Sequence, residues 1–394
     1  SRAQDTSSEN KVQTGAAVLL DNHLGELEGK RVGLVMNPTA RVGESHMLDT
    51  LLKESVNVSA LFAPEHGFRG EFGAGEEIED GVDKESGLPV YSLYGKTKKP
   101  TPEMLENVDV LLFDMQDVGG RFYTYNITLG NVIEAAANNG VDIWVLDRPN
   151  PAGDYVAGWM MEDEYRSFVG KFPIPASHGM TLGELGRMMI GEDWLDLDAS
   201  VNYRVIPMKG WNRDTIWPET GLEWYAPSPN LPTFIHAYVY LGTVLFEGTT
   251  LSEGRGTDDP FLQIGHPGFT YPASVMDSLA RKYNVTIEPI TFIPRTIPGK
   301  ARNPKHEGDT CRGVRIAVAN LDSFENPVSF GAELLRVMLD HTESGKIKTF
   351  LYNLAGTKER IEKFIENPDL APADSWSIDK QEFLKQRQSY LLYP

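Results

Sequence analysis

The chain of 394 residues has a single cysteine, Cys311, so it can form no intrachain disulfide and no cysteine-based metal cluster. That usage fits a cytoplasmic protein and equally a large secreted bacterial protein that does not rely on disulfides. No apolar run approaches the roughly 18 to 20 residues that cross a bilayer, so no transmembrane segment is expected. Basic residues are the minority, 37 Lys and Arg against 56 Asp and Glu, and the resulting charge of -19 is spread along the chain. Such a surface repels polyphosphates, which argues against nucleic acid and leaves small anions held by local arginines.

Several phosphate and hydrolase signatures are also missing. The glycine-rich stretch "FEGTTLSEGRGTDDPF" lacks the terminal Gly-Lys-Ser/Thr of a P-loop, and no G-x-G-x-x-G follows the first strand. Neither G-x-S-x-G nor H-E-x-x-H occurs, and the chain carries no internal repeat or low-complexity segment. No dinucleotide is indicated, and neither a cofactor nor a metal is expected. The first residues, "SRAQDTSSENKVQTG", are polar and Ser-rich, as a mature protein would be after loss of an export signal.

What is present is an alternation of short apolar runs with helical patterns. "KRVGLVMNPTA", "VSALFAPEHG", "VDVLLFDMQDVGG" and "VDIWVLDRPNPAG" read as buried strands, and "HMLDTLLKES", "TPEMLEN" and "TLGNVIEAAANNG" as helices between them. Fully apolar strands alternating with helices predict a parallel sheet covered on both faces, an α/β fold. The length predicts two domains, and the proline-rich "WYAPSPNLPTF" places their boundary near residue 235, giving units 13–235 and 236–394. The second unit reads as α/β or α+β, with helices at "ASVMDSLARKY" and "FGAELLRVMLDH" and strands at "NVTIEPITFI" and "CRGVRIAVAN".

Ligands of open parallel sheets bind beyond the carboxyl ends of the strands. Three strands here end in charged or polar groups: Glu65-His66, Asp114 to Asp117, and Asp147-Arg148 to Asn150. These ends are expected to converge on one edge. Glu65 follows Pro64 in the glycine-rich "FAPEHGFRGEFGAGEE", where a carboxyl screened by a second domain can hold a proton and act as a general acid. The run "FDMQDVGGRFYTY" supplies Asp114, Gln116, Asp117, Arg121, Tyr123 and Tyr125, suited to hydrogen bonding and stacking against sugars. A Mg²⁺ site from Asp114, Asp117 and Asp147 is the competing use of the same strand ends. His178 precedes a helix that opens with Thr181 and Glu184 at capping-box spacing. Glu247, Ser252, Glu253 and Arg255 gather in a second charged, glycine-rich loop, placed to face the first.

The ordered motifs "NPTA", "FAPEHGFRG", "GLPVYSLYG", "FDMQDVGGRFYTY", "DRPNPAG", "SHGMTLGEL", "PSPNLP" and "FEGTTLSEGRGTDDPF" closely resemble the NamZ-type exo-β-N-acetylmuramidases, over residues 13 to 394. The resemblance implies a Rossmann-like N-terminal domain, a smaller C-terminal domain and an active site in the cleft between them. It implies release of N-acetylmuramic acid from the non-reducing end of peptidoglycan fragments or muropeptides, outside the cytoplasm, by a periplasmic, secreted or lipid-anchored protein. The Glu of "PEHG" falls on Glu65, expected as the catalytic acid with His66 beside it and Asp114 and Asp147 as catalytic carboxylates. Arg69, Gln116, Arg121, Tyr123, Arg148, Asn150, His178, Glu247 and Arg255 are the expected substrate-binding positions.

A glycosidase needs a protonated acid at the glycosidic oxygen and a group that stabilises an oxocarbenium-like centre. Asp114, Asp117, Asp147 and Glu247 are candidates for a second carboxylate, and a 2-acetamido substrate also permits substrate-assisted attack. Muramic acid carries an anionic lactyl ether, so its recognition calls for an arginine from the set Arg69, Arg121, Arg148 and Arg255. Glu71, Glu76 and Glu77 are expected to be solvated or to brace the loop. The rival readings are a metal-dependent phosphoesterase and a muropeptide-binding protein without catalysis.

Overall fold

The computed structural model describes residues 12–69 and 80–394, so Glu71, Glu76 and Glu77 lie outside the described residues. Along the N-terminal unit run α1 (Gly15–Asn22), β1 (Val32–Met36), the hairpin β2 (Arg41–Val42) and β3 (Ser45–His46), α2 (Met47–Lys53), β4 (Val58–Ala63), β5 (Gly81–Val82) and β6 (Pro89–Ser92). Then follow α3 (Pro102–Leu105), β7 (Val110–Asp114), α4 (Tyr125–Asn139), β8 (Asp142–Leu146), the paired β9 (Val156–Ala157) and β10 (Ser177–His178), α5 (Leu182–Gly191) and β11 (Tyr203–Ile206). The large sheet has the order β11-β8-β7-β1-β4-β6-β5, with every pairing parallel except that of β5 with β6. Read from β6 to β11, this is the doubly wound order of a Rossmann-like fold.

Residue chemistry accounts for these elements. Each residue of β1 and β7 is buried, as strands covered on both faces require. One apolar cluster joins Leu34, Leu48, Leu51 and Leu112 under α1 and α2. The other begins with Val35, Leu111 and Val145 on the opposite face and continues unbroken into Phe246, Phe330 and Leu335 of the second unit. Thr101 caps α3, Gly140 closes α4 in the left-handed conformation (φ 64°), and Thr181 with Glu184 forms a complete capping box on α5.

The second unit is α+β. It holds α6 (Phe234–Thr243), the antiparallel sheet β12 (Gln263–His266), β13 (Thr286–Phe292) and β14 (Cys311–Ala317), α7 (Ala273–Tyr283), α8 (Pro327–Asp340), α9 (Phe350–Ala355), α10 (Glu359–Glu366) and α11 (Pro372–Arg387). Helices α6 and α8 cross with Gly242 against Gly331, where a Cβ on either would strike the other backbone. The chain end returns to the first unit: Arg387 donates to the Gly179 carbonyl at 2.8 Å, and the Tyr393 hydroxyl to Asp147 at 2.7 Å.

The crevice between β1 and β7, where this strand order receives dinucleotides, is filled by the protein itself. The Gln116 amide donates to Thr39 Oγ1 (2.8 Å), Thr39 donates to Asn37 Oδ1 (2.5 Å), and Asn37 Nδ2 donates to the Tyr125 hydroxyl (2.7 Å).

Buried polar groups continue along this edge. Asp114 takes two bonds from Arg148, through Nε and Nη2. Asp147 accepts from the Thr181 hydroxyl (2.7 Å), the Gly183 amide (2.9 Å) and Tyr393, while burial pushes its pKa up to about 7. Asp117 accepts the Gly119 amide at Oδ2 (3.1 Å), and its Oδ1 has no hydrogen-bond partner among the described residues. Burial pushes Asp117 up to about 7 as well. His178 stands 3.8 Å away, its Nδ1 accepting the Met180 amide, so the ring proton sits on Nε2 facing Asp117. Burial, then Arg387 and Arg121, bring His178 down to about 3.

Asp117 couples stability to pH. Its folded pKa lies above the unfolded value of about 3.9, so its contribution to stability is complete below about pH 4 and is lost as pH rises to about 7. Asp117→Asn removes that loss. Its thermal stability relative to wild type is therefore expected to improve between pH 5 and pH 8 by about 1–3 kcal/mol, as read by denaturation at each pH. A difference independent of pH would contradict the assignment.

Candidate active site

Glu65 follows β4 by two residues, in a tight turn closed by a hydrogen bond from the Gly67 amide to the Pro64 carbonyl (3.1 Å). His66 and Gly67 are both left-handed, with φ of 74° and 83°. A non-glycine residue rarely adopts that conformation, and His66 does so while buried. The turn carries Glu65 off the sheet edge into a cleft between the two units.

The described walls enclose about 100 Å³. From the first unit come Glu65, His66, Tyr94, Phe122, Tyr123, Thr124, Phe168 and Val169; from the connecting segment Ser228 and Leu231; from the second unit Tyr240, Glu247, Arg255 and Phe261. Thr124 donates its hydroxyl to Glu65 Oε2 at 2.9 Å. Tyr94 hydrogen-bonds Glu65 too, and burial, then the Glu65 charge and that bond, raise its phenol pKa, so it remains a donor. Tyr123 packs edge-on against Tyr125 (ring centroids 4.8 Å apart) and Tyr240 (6.2 Å), and Tyr240 against Phe261 (4.7 Å). A carboxyl ringed by aromatic faces and hydroxyls is chemistry suited to a sugar.

Across from Glu65 the second unit presents a charge cluster. Arg255 donates to Glu247 Oε1 through Nη2 (2.7 Å) and Nε (3.3 Å), lies 3.7 Å from Glu253, and covers the Phe261 ring. Lys305 balances Glu253 at 2.7 Å and donates to the Phe246 and Leu251 carbonyls. Burial pulls the Arg255 pKa down, but Glu247 and Glu253 outweigh it and the net shift is upward, so the guanidinium keeps its charge.

Five of the expected site residues therefore share this cleft: Glu65, His66, Tyr123, Glu247 and Arg255. The others lie elsewhere. Arg69 is paired with Asp83 (2.7 Å) and Asp49 (3.4 Å). Gln116 donates to the Asp117 and Pro149 carbonyls, both at 2.8 Å, tying two strand ends together. Arg121 is fully buried and donates to the carbonyls of Trp159, Ile174 and, across the unit boundary, Leu354. Asn150 joins the Ala152 amide to the Met180 carbonyl, and His178 is sealed against Asp117. Asp114 and Asp147 lie beneath the sheet edge with their oxygens occupied by Arg148, Thr181, Gly183 and Tyr393.

Asp114, Asp117 and Asp147 do not converge as a cation would need, and no group of three potential ligands stands together among the described residues. Tyr94, Thr124, Tyr240 and Phe261 were not expected in the cleft. Tyr94 carried a usable signal, because "SLYG" follows an apolar run and so marks one more strand end.

The comparisons agree with this architecture. The N-terminal model of the exo-β-N-acetylmuramidase NamZ matches residues 32–235, and its C-terminal model matches residues 238–393. The chain is 41% identical to the peptidoglycan β-N-acetylmuramidase NamZ of Bacillus subtilis, covering 98% of this chain and 93% of that protein. Two crystal structures of DUF1343 family proteins from Bacteroides fragilis superpose with TM-scores of 0.81 and 0.82. The first is 36% identical over 97% of this chain and 99% of its own, the second 32% over 98% and 100%. With both halves matched and a relative of this identity along almost its whole length, the chain belongs to the NamZ exo-β-N-acetylmuramidase family.

Proposed function

We propose that this protein is an exo-acting glycoside hydrolase that removes terminal non-reducing N-acetylmuramic acid from peptidoglycan-derived glycans, with Glu65 as the general acid. The observation that carries the reading is Glu65 itself, turned into an aromatic interunit cleft and held by the hydroxyls of Thr124 and Tyr94. Two donors to one carboxyl fix its orientation, and a fixed acid is what protonation of a glycosidic oxygen demands. Glu247 is the second carboxylate of the mechanism, since it lines the same cleft, whereas Asp114 and Asp147 are engaged elsewhere. Arg255 grips Glu247 by Oε1 alone, which leaves Oε2 outside that bond. Polymeric peptidoglycan lies outside the cytoplasm, so the same reading makes the protein extracytoplasmic and part of cell wall recycling.

Discrimination of muramic acid from glucosamine rests on Arg255. Of the four candidate arginines, Arg255 lines the cleft that holds Glu65, whereas Arg69, Arg121 and Arg148 are not among its described walls. A fork of N–H groups against the lactyl carboxylate gives the recognition its charge and its shape.

With a chromogenic β-N-acetylmuramide, Glu65→Gln is expected to lower turnover by roughly 10²–10⁴-fold. Equal release by variant and wild type would remove Glu65 from the acid role. Arg255→Met is expected to reduce the ratio of muramide to glucosaminide turnover by about 10-fold or more, the value of one charge-assisted contact. Because the ratio is internal to each protein, an unchanged ratio would exclude Arg255 as the lactyl contact even if total activity falls.

A further inference from the structure

A second, larger cavity lies on the other side of the segment that walls the Glu65 cleft. It offers about 350 Å³, at the lower end of the roughly 300–1,000 Å³ of small-ligand pockets. Segment 223–231 separates the two: Glu223 and Tyr225 face this cavity, and Ser228 and Leu231 face the cleft. The cavity sits beyond the carboxyl ends of β1 and β8, the edge on which parallel sheets bind ligands, yet it contains none of the groups that line the Glu65 cleft.

Its charged groups are two guanidiniums and one carboxylate, and Gln13, Thr14 and Tyr225 add neutral polar groups. Arg148, with only 7% of its side chain exposed, is locked by Asp114 through Nε and Nη2 and also donates Nη2 to the Arg41 carbonyl (3.0 Å). Its Nη1 makes no hydrogen bond among the described residues, and the residue lines the cavity. Arg41 donates Nε to the Pro38 carbonyl (3.0 Å) and Nη1 to the Glu44 carbonyl (2.6 Å), and stacks on Tyr225 with its guanidinium 4.9 Å from the ring centroid. Its Nη2 likewise makes no hydrogen bond among the described residues. Both arginines are thus held in place through other atoms, each with N–H capacity left over. Glu223, whose Oε2 lies 3.1 Å from the Tyr225 hydroxyl, supplies the opposite charge. Val42, Leu222 and Trp217 provide the apolar wall.

We propose that this cavity is a second binding site, for a zwitterion of the amino-acid or short-peptide class. The ligand's carboxylate meets Arg148 and Arg41, its ammonium meets Glu223, and its side chains lie on Val42 and Trp217. A simple anion fits less well. Asp114 already neutralises Arg148, and Glu223 lines the same cavity as Arg41 with the opposite charge, so the site suits a ligand carrying both signs. The site is separate from the glycosidase reading, and binding is measured without reference to turnover.

The test uses the full chain and calorimetric titration with alanyl-alanine, in its L,L and D,D forms, beside the C-amidated and N-acetylated dipeptides. Saturable binding of the free dipeptide is expected, weakened at least 10-fold by amidation and measurably by acetylation. Saturating N-acetylmuramic acid is expected to leave it intact, which separates this site from the Glu65 cleft. Arg41→Ala is expected to weaken binding at least 10-fold while turnover of the chromogenic muramide stays at the wild-type value. Arg148 is left in place because its removal would strand buried Asp114. No saturable binding to wild type, equal binding of free and amidated dipeptide, or displacement by N-acetylmuramic acid would each overturn the proposal. The peptide comparison needs no variant and so decides the matter even if Arg41→Ala unfolds.

Discussion

The bidentate pair between Asp114 and Arg148 is the constraint on which this arrangement rests. It joins the end of β7 to the residue two beyond β8, and Arg148 also holds the Arg41 carbonyl beyond β1, so three strand ends are fixed by one guanidinium. A buried pair of this kind is weak evidence of net stability, but removal of one partner costs about 3–5 kcal/mol because the other charge is left without compensation. From Asp114 the chain runs directly into the loop that carries Tyr123 and Thr124 to Glu65. Arg148 of the same pair lines the second cavity.

Charge is distributed with a division of labour. The surface is acidic, with a net charge of -19, while the arginines near the sheet edge and cleft are each engaged by particular partners. Arg121 is spent on backbone carbonyls, including one from the second unit, so a guanidinium helps set how the two halves of the cleft meet. The C-terminal residues act in the same sense, since Arg387 and Tyr393 carry the chain end back to the β8 edge. The cleft is therefore bounded by two units whose relative placement is secured by buried polar bonds and by one continuous apolar core.

The parallel sheet was legible because its strands are uniformly apolar and its helices carry caps at short range, as at Thr101, Gly140 and Thr181. The convergence of strand ends followed from that pattern alone. What the pattern does not distinguish is a carboxylate turned into a cleft from one folded beneath the edge. Glu65, Asp114 and Asp147 look alike in sequence, and the difference lies in partners 34 residues away for Arg148 and 246 away for Tyr393. The aromatic lining was obscured for a similar reason: Tyr240 sits in an apolar run that reads as ordinary core and Phe261 ends the charged loop "FEGTTLSEGRGTDDPF", and only tertiary packing brings the two rings together at the Glu65 cleft.

The most direct test of the account is a crystal structure of Glu65→Gln with a β-linked N-acetylmuramyl-N-acetylglucosamine disaccharide bound. The account predicts the glycosidic oxygen within about 3.2 Å of the residue 65 amide, the muramic ring among Tyr123, Tyr240 and Phe261, and the lactyl carboxylate against Arg255. A disaccharide lodged in the cavity of Arg41 and Arg148, with residue 65 out of reach of the glycosidic bond, would contradict it.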